Sequence, residues 1–138
     1  MFSYGKSSQK HLNQTTDNLA LVFRDALATG LMDISVFESI RSKDKQTEYY
    51  QNGKSGVQWP NGKHNVLVEG QKSRAVDAAP FINGKISWNK FHCIGMAYII
   101  LTCAKLRGVN IRWGGNWDQD TEPITDQDFQ DLVHFEEV

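Results

Sequence analysis

Apolar residues recur at helical spacing between residues 8 and 29. Leu12, Leu19, Val22, Phe23, Ala26 and Leu27 share one face, and Gln9, Lys10, Asn13, Asp17, Arg24 and Asp25 fill the other. Gly30 stands where a helix C-terminal cap belongs, so the pattern predicts one helix over 8–29, with His11 on its solvent side. The period then changes. Ile34, Val36 and Glu38 alternate with Ser35, Phe37 and Ser39, which predicts a strand over 33–40 with two unlike faces and Arg41 at its exit. Residues 43–51 read as a short helix stopped by Asn52-Gly53. A short strand is expected over 73–79, and Asn83-Gly84 between Ile82 and Ile86 is a strong hairpin signal. Residues 88–107 form a second long helix, nearly all apolar and therefore expected to be buried, ended by Gly108. Val109, Ile111 and Trp113 alternate with Asn110 and Arg112 in a strand over 109–113. Gly114-Gly115-Asn116-Trp117 turns the chain, and a last strand covers 133–138.

Between these elements, residues 53–72 hold four glycines, Pro60, Asn61 and several lysines. That composition makes a loop, and a loop of this length inside a small domain is commonly functional. Trp59 within it is either a wall of a substrate cleft or a pin that ties the loop to the body. Helices and strands in this order predict an α+β fold: a small antiparallel sheet with two long helices packed on it.

Bulk properties narrow the choice of function. The 138 residues suit a single domain spanning 1–138, and 40% hydrophobic content supplies one packed core. A net charge of −1 argues against nucleic acid as the main partner. The first ten residues lack the apolar core of a signal peptide, and the most apolar stretch, 94–106, contains Lys105 and falls short of the ~20 residues of a membrane span. Cys93 and Cys103 lie ten residues apart in one predicted helix, hence about 15 Å apart and beyond disulfide reach; they are expected to be buried thiols.

Chemistry concentrates in two places. Residues 63–80 contain His64 and Asp77, and the tail contains His134 with Asp131 three residues before it. Two imidazoles and a carboxylate are a normal protein ligand set for catalytic zinc, which leaves a coordination position for water. A further carboxylate beside such a site can take a proton from that water. Taken singly, each residue has a plainer explanation: His64 as a structural histidine, Asp77 as a turn cap, Arg41 as the partner of Glu38 or Asp44. His92 is a competing ligand and Glu136 a competing base. Glu136 shares a strand face with His134 and could instead orient it. The acidic run 118–128 lacks EF-hand spacing and is broken by Pro123, so a solvated loop is the safer expectation, with a weak cation site next to Asp131 as the alternative.

Several segments together resemble the zinc D-Ala-D-Ala carboxypeptidases and L-alanyl-D-glutamate endopeptidases of bacterial peptidoglycan, above all the short phage endolysins among them. The family order Ser-x-His, Gly-x-Ala-x-Asp, Asp-x-x-His is matched here by Gly62-Lys63-His64, Ser73-Arg74-Ala75-Val76-Asp77 and Asp131-Leu132-Val133-His134. Arg41-Ser42 followed by Gln46 matches an upstream Arg-Ser/Thr-x-x-x-Gln element, and 79–86 with Trp88 is similar to the endolysin branch. The departures are Gly62 for Ser, Ser73 for Gly, and an insertion over 65–72 between the first two ligands.

The resemblance implies a Hedgehog/DD-peptidase-like fold with Zn²⁺ held by His64, Asp77 and His134. It implies Asp131 as general base, and Arg41 and Gln46 in contact with substrate, Arg41 also steadying the oxyanion. It further implies a monomeric enzyme acting on peptidoglycan without nucleic-acid or membrane partners, made in the host cytoplasm and reaching the wall through a holin. L-Ala–D-Glu endopeptidase is the expected activity. D-Ala-D-Ala carboxypeptidase or dipeptidase is the alternative, and a non-catalytic zinc-containing wall-binding domain a further one.

Overall fold

The computed structural model describes residues 1–138. Five strands form the sheet: β1 (Ile34–Glu38), β2 (Ala75–Ile82), β3 (Lys85–Ile86), β4 (Ile111–Gly114) and β5 (Asp131–Glu137). The antiparallel order is β1-β2-β5-β4, with β3 hairpinned onto the end of β2. Asn83 and Gly84 both take positive φ, 53° and 81°, as a two-residue primed turn requires. Four helices accompany the sheet: α1 (Lys6–Asn13), α2 (Asp17–Ala28), α3 (Lys43–Gln51) and α4 (Lys90–Arg107).

The single helix expected over 8–29 is broken into α1 and α2. Thr15 forms a bridge with Ser73. Ser73 N–H donates to the Gln14 carbonyl at 2.8 Å, and Thr16 N–H donates to the Ser73 carbonyl at 3.0 Å. Backbone groups spent on this tie cannot continue a helix, and the β-branched Thr15-Thr16 pair resists helix only weakly in return. α4 also departs from expectation, because only one stripe of it is buried. Cys93, Met96, Ala97, Ile100, Cys103 and Ala104 face inward, while Phe91, Tyr98 and Leu106 are exposed. Its ends follow local signals: Asn89 accepts from Phe91 N–H at 2.9 Å, and Gly108 closes the helix at φ +74°. Both cysteines are free and buried.

One face of the sheet, through Val36, Val76, Ala78, Trp113 and Phe135, joins α2 and α4 in the hydrophobic core. Phe23 meets Phe135 edge to face at 5.5 Å. The opposite face carries Asp77, His134 and Glu136, paired across β2 and β5. Between β4 and β5 the register jumps: Trp113 faces Phe135, but the next residue, Gly114, faces Asp131. Leu132, Val133 and His134 are thus bulged out. A Cβ on Gly114 would lie 2.1 Å from the Asp131 carbonyl oxygen, so only glycine admits this approach.

Candidate metal centre and its cleft

Strand alternation aims Asp77 and His134 at each other across the β2–β5 pair, and His64 arrives from the loop above them. His64 Nε2 lies 3.2 Å from Asp77 Oδ1 and 3.2 Å from His134 Nδ1, and His134 Nδ1 lies 3.5 Å from Asp77 Oδ1. Tetrahedral coordination with bonds of about 2.0–2.1 Å separates neighbouring ligand atoms by roughly 3.3–3.4 Å, so these spacings fit one metal ion. All three residues are buried.

Their outer contacts determine which atoms face inward. The Ser39 carbonyl can only accept, so His64 Nδ1 donates to it at 2.7 Å and Nε2 presents a lone pair. His134 Nε2 donates to Glu136 Oε1 at 2.8 Å, which leaves Nδ1 as the inward atom, the one that takes a proton or a metal ion. Arg41 Nη2 donates to Asp77 Oδ2 at 3.3 Å, so Oδ1 is the oxygen turned toward the imidazoles. Three acceptors therefore converge with each outer atom already committed, an arrangement suited to a cation.

The electrostatics agree. Burial alone would lower the His134 pKa, but hydrogen bonds to Asp77 and Glu136 more than offset it and raise it to about 9. The cluster thus favours positive charge at Nδ1, whether proton or metal. Burial likewise works to raise Asp77, yet the two imidazoles hold its carboxyl well below the usual range. Glu136 is lowered to about 2 against its burial by His134 and by Arg112, whose Nη2 donates to Oε2 at 2.8 Å.

Asp131 differs from these carboxylates. Burial raises its pKa, with the Asp77 charge adding to the effect and His134, His64 and Arg41 opposing it. The β4–β5 bulge brings Asp131 to the same cleft as His134, although residues three apart in a regular strand point to opposite faces. Val133, expected to face away with Phe135, also lines the cleft, while Phe135 alone enters the core.

The cleft is about 810 Å³, within the usual range for a ligand site. Arg41 and Gln46 both border it, but each is engaged inside the protein. Arg41 Nε donates to Glu38 at 2.7 Å and Nη1 to Gln46 at 3.1 Å, in addition to the Asp77 contact. Gln46 is 1% exposed. Its Nε2 donates to Ser55 Oγ and the Val57 carbonyl, and its Oε1 accepts from Arg41 and Asn65. With donors and acceptor occupied, the Gln46 amide clips the 53–65 loop to α3.

The departures from the family pattern are accommodated locally. A Cβ on Gly62 would fall 2.7 Å from Asn65 Oδ1, which accepts from Gly62 N–H at 2.9 Å; Asn65 fills the space a side chain at 62 would need. The 65–72 insertion loops away and leaves His64 buried at 2% exposure. Ser73 Oγ donates to the same Ser39 carbonyl that orients His64, at 2.9 Å.

Other expectations change. His92 bonds Ser87 Oγ at 2.7 Å and does not line the cleft. His11 is half-buried rather than solvated, with Nδ1 3.0 Å from Ser39 Oγ. Trp59 does not line the cleft; Trp88 and Trp117 do. Trp117 stacks on Phe129 at 6.3 Å and lies 5.6 Å from the His134 ring. Arg112, Trp117 and Phe129 are the contributors that sequence reasoning missed, whereas Glu38 pairs with Arg41 as its plainer explanation had it. Only Arg112 carried a signal, since its alternation with Ile111 and Trp113 puts it on the face opposite the core. Asp118, Asp120 and Asp126 converge within 4.8 Å, all exposed at the surface.

Comparison with known proteins agrees with this geometry. The L-alanyl-D-glutamate peptidase of Escherichia phage T5 is 29% identical over 118 residues, covering 85% of this chain and 82% of the relative. The crystal structure of the Serratia marcescens L-Ala D-Glu endopeptidase ChiX superposes with a TM-score of 0.77 at 25% identity, covering 98% of this chain and 89% of that one. The family model described as phage L-alanyl-D-glutamate peptidase matches residues 1–138. With fold, motif order and cleft in agreement, the chain belongs to the phage L-alanyl-D-glutamate peptidase family.

Proposed function

We propose that this protein is a zinc-dependent endopeptidase that hydrolyses the L-Ala–D-Glu bond of peptidoglycan stems. The observation that carries the metal assignment is the convergence of His64 Nε2, His134 Nδ1 and Asp77 Oδ1, each with its outer atom already hydrogen-bonded. Nitrogen and oxygen donors at this spacing suit zinc. Bound there, zinc would polarise the scissile carbonyl and lower the pKa of water to roughly 7.

The chain's own groups do the rest. Asp131 accepts the proton of the attacking water and returns it to the departing amine of the D-glutamyl residue. Its raised pKa suits both steps, because a stronger base takes the proton more readily and a weaker acid still releases it to an amine. Arg41 holds Asp77 in orientation and lends positive charge to the developing oxyanion. Glu136, anchored by Arg112, keeps His134 in its working tautomer. Gln46 supports the loop that delivers His64.

The relatives' names support the bond assignment. No helix of the structure is long and apolar enough to cross a membrane. A single-domain monomer that reaches the wall through a holin-type opening completes the proposal. The test is digestion of purified muropeptides followed by mass spectrometry. The expected products are a glycan-linked fragment ending in L-Ala and a released peptide with a new N-terminal D-Glu, lost on chelation and restored by zinc. Release of terminal D-Ala alone would assign the carboxypeptidase activity instead, and full activity after metal removal would overturn the zinc reading.

A further inference from the structure

Four cationic side chains line the cleft: Arg41, Lys54, Lys63 and Arg112. Two are neutralised within the protein, Arg41 by Glu38 and Asp77 and Arg112 by Glu136. Lys54 and Lys63 form no ion pair among those the structure contains. Positive charge is also gathered around one ring. Arg41 Cζ lies 4.7 Å, Lys45 Nζ 5.7 Å and Lys54 Nζ 5.8 Å from the centre of Tyr49. Lys45 and Lys54, neither of them in an ion pair, thus share one ring with Arg41, and this gathering of positive charge becomes more favourable when an anion joins it.

The segment that carries Lys54 is tied down. Lys54 N–H and Ser55 N–H both donate to the Tyr49 carbonyl, at 2.8 and 3.2 Å, and the Gln46 amide holds Ser55 and Val57. The backbone that carries Lys54 is therefore fixed beside the cleft rather than part of a free loop. The wall formed by the β4–β5 connection is different in kind, with the Trp117–Phe129 stack and Val133 at its surface. The cleft is thus basic on the α3 side and apolar where the β4–β5 connection closes it.

The substrate has the same asymmetry. The alanyl residue offers a methyl group and no charge. The glutamyl residue has two carboxyls, and only one continues the chain. A sphere of 810 Å³ is about 12 Å across, the span of roughly three extended residues, so both walls are within reach of one bound stem. We infer that Lys54, which shares the Tyr49 ring with Lys45, receives the free carboxylate of the D-glutamyl residue and so sets the direction in which the stem lies across the metal centre. This rests on the stem-peptidase function proposed above.

The test compares two stem peptides that differ only in whether the free D-glutamyl carboxyl is an acid or an amide. Wild type is expected to prefer the acid by about twofold to fivefold in kcat/KM, the range of one partly exposed ion pair, and the preference is expected to shrink with added salt. In Lys54→Met, which keeps most of the aliphatic stem, the acid/amide ratio is expected to fall toward one through a higher KM on the acid. Lys45→Met should lower it in the same direction by less. Zinc content measured on the same preparations confirms folding. Cleavage of both peptides by wild type without discrimination, or an unchanged ratio in Lys54→Met, overturns this inference alone. Cleavage of neither peptide overturns the proposed function.

Discussion

Replacing Asp131 by Asn separates the metal site from the proton-transfer chemistry. No protein donor is hydrogen-bonded to the Asp131 carboxylate, in contrast to Asp77 and Glu136. Asn is close to isosteric, so no internal hydrogen bond is lost, and removing a partly buried charge from beside Asp77 relieves the repulsion that raises the Asp131 pKa. Stability is therefore expected to stay within about 0.5 kcal/mol of wild type. Metal content is expected to be unchanged, because the three converging atoms and their outer partners are untouched. The amide cannot take a proton at neutral pH, so turnover is expected to fall about 10²–10⁴-fold, equivalent to about 2.7–5.4 kcal/mol of barrier. The assay is zinc stoichiometry, thermal unfolding and muropeptide hydrolysis on one preparation. Loss of zinc would make Asp131 a ligand. Normal zinc with a normal rate would move the base elsewhere, and Glu136 would become the first candidate.

Three further outcomes follow from the same geometry. Glu136→Gln removes the charge that binds Arg112 and fixes the His134 tautomer; metal affinity is expected to weaken about 10–100-fold, with a smaller loss of turnover at saturating zinc than in Asp131→Asn, as read by zinc titration. Gly114→Ala drives a methyl group to 2.1 Å from the Asp131 carbonyl; a loss of about 1–3 kcal/mol in denaturant unfolding is expected, together with reduced activity, and a variant as stable and active as wild type would refute the bulge as the device that aims Asp131. Hydrogen bonds to Asp77 and Glu136 raise the His134 pKa to about 9, so zinc entering the site at pH 7 is expected to displace a proton; calorimetry in buffers of different ionisation enthalpy is expected to find about one proton released at pH 7 and progressively fewer as pH rises through 9.

Much of this protein follows from its sequence alone, where the deciding interactions are between near neighbours in the chain. Period-two alternation marked β1 and β4, and Asn83-Gly84 marked the hairpin. The 43–51 helix and the Gly108 cap of α4 were legible for the same reason, because caps and turns are made by residues a few positions apart. The set His64, Asp77 and His134 could be named from residue chemistry and motif order, since ligand type depends on the side chain and not on its surroundings.

Tertiary structure decided whatever depends on a partner far along the chain. The break between α1 and α2 comes from the tie between Thr15 and Ser73, which no helical periodicity encodes. Asp131 turns to the cleft only because β5 bulges against Gly114, and strand alternation alone points it away. Gln46 is a loop clip because Ser55, Val57, Arg41 and Asn65 happen to surround it. Trp117, not Trp59, walls the site because the β4–β5 connection folds over His134. In each case the residue type limited what the side chain could do, and a long-range contact selected which of those things it does.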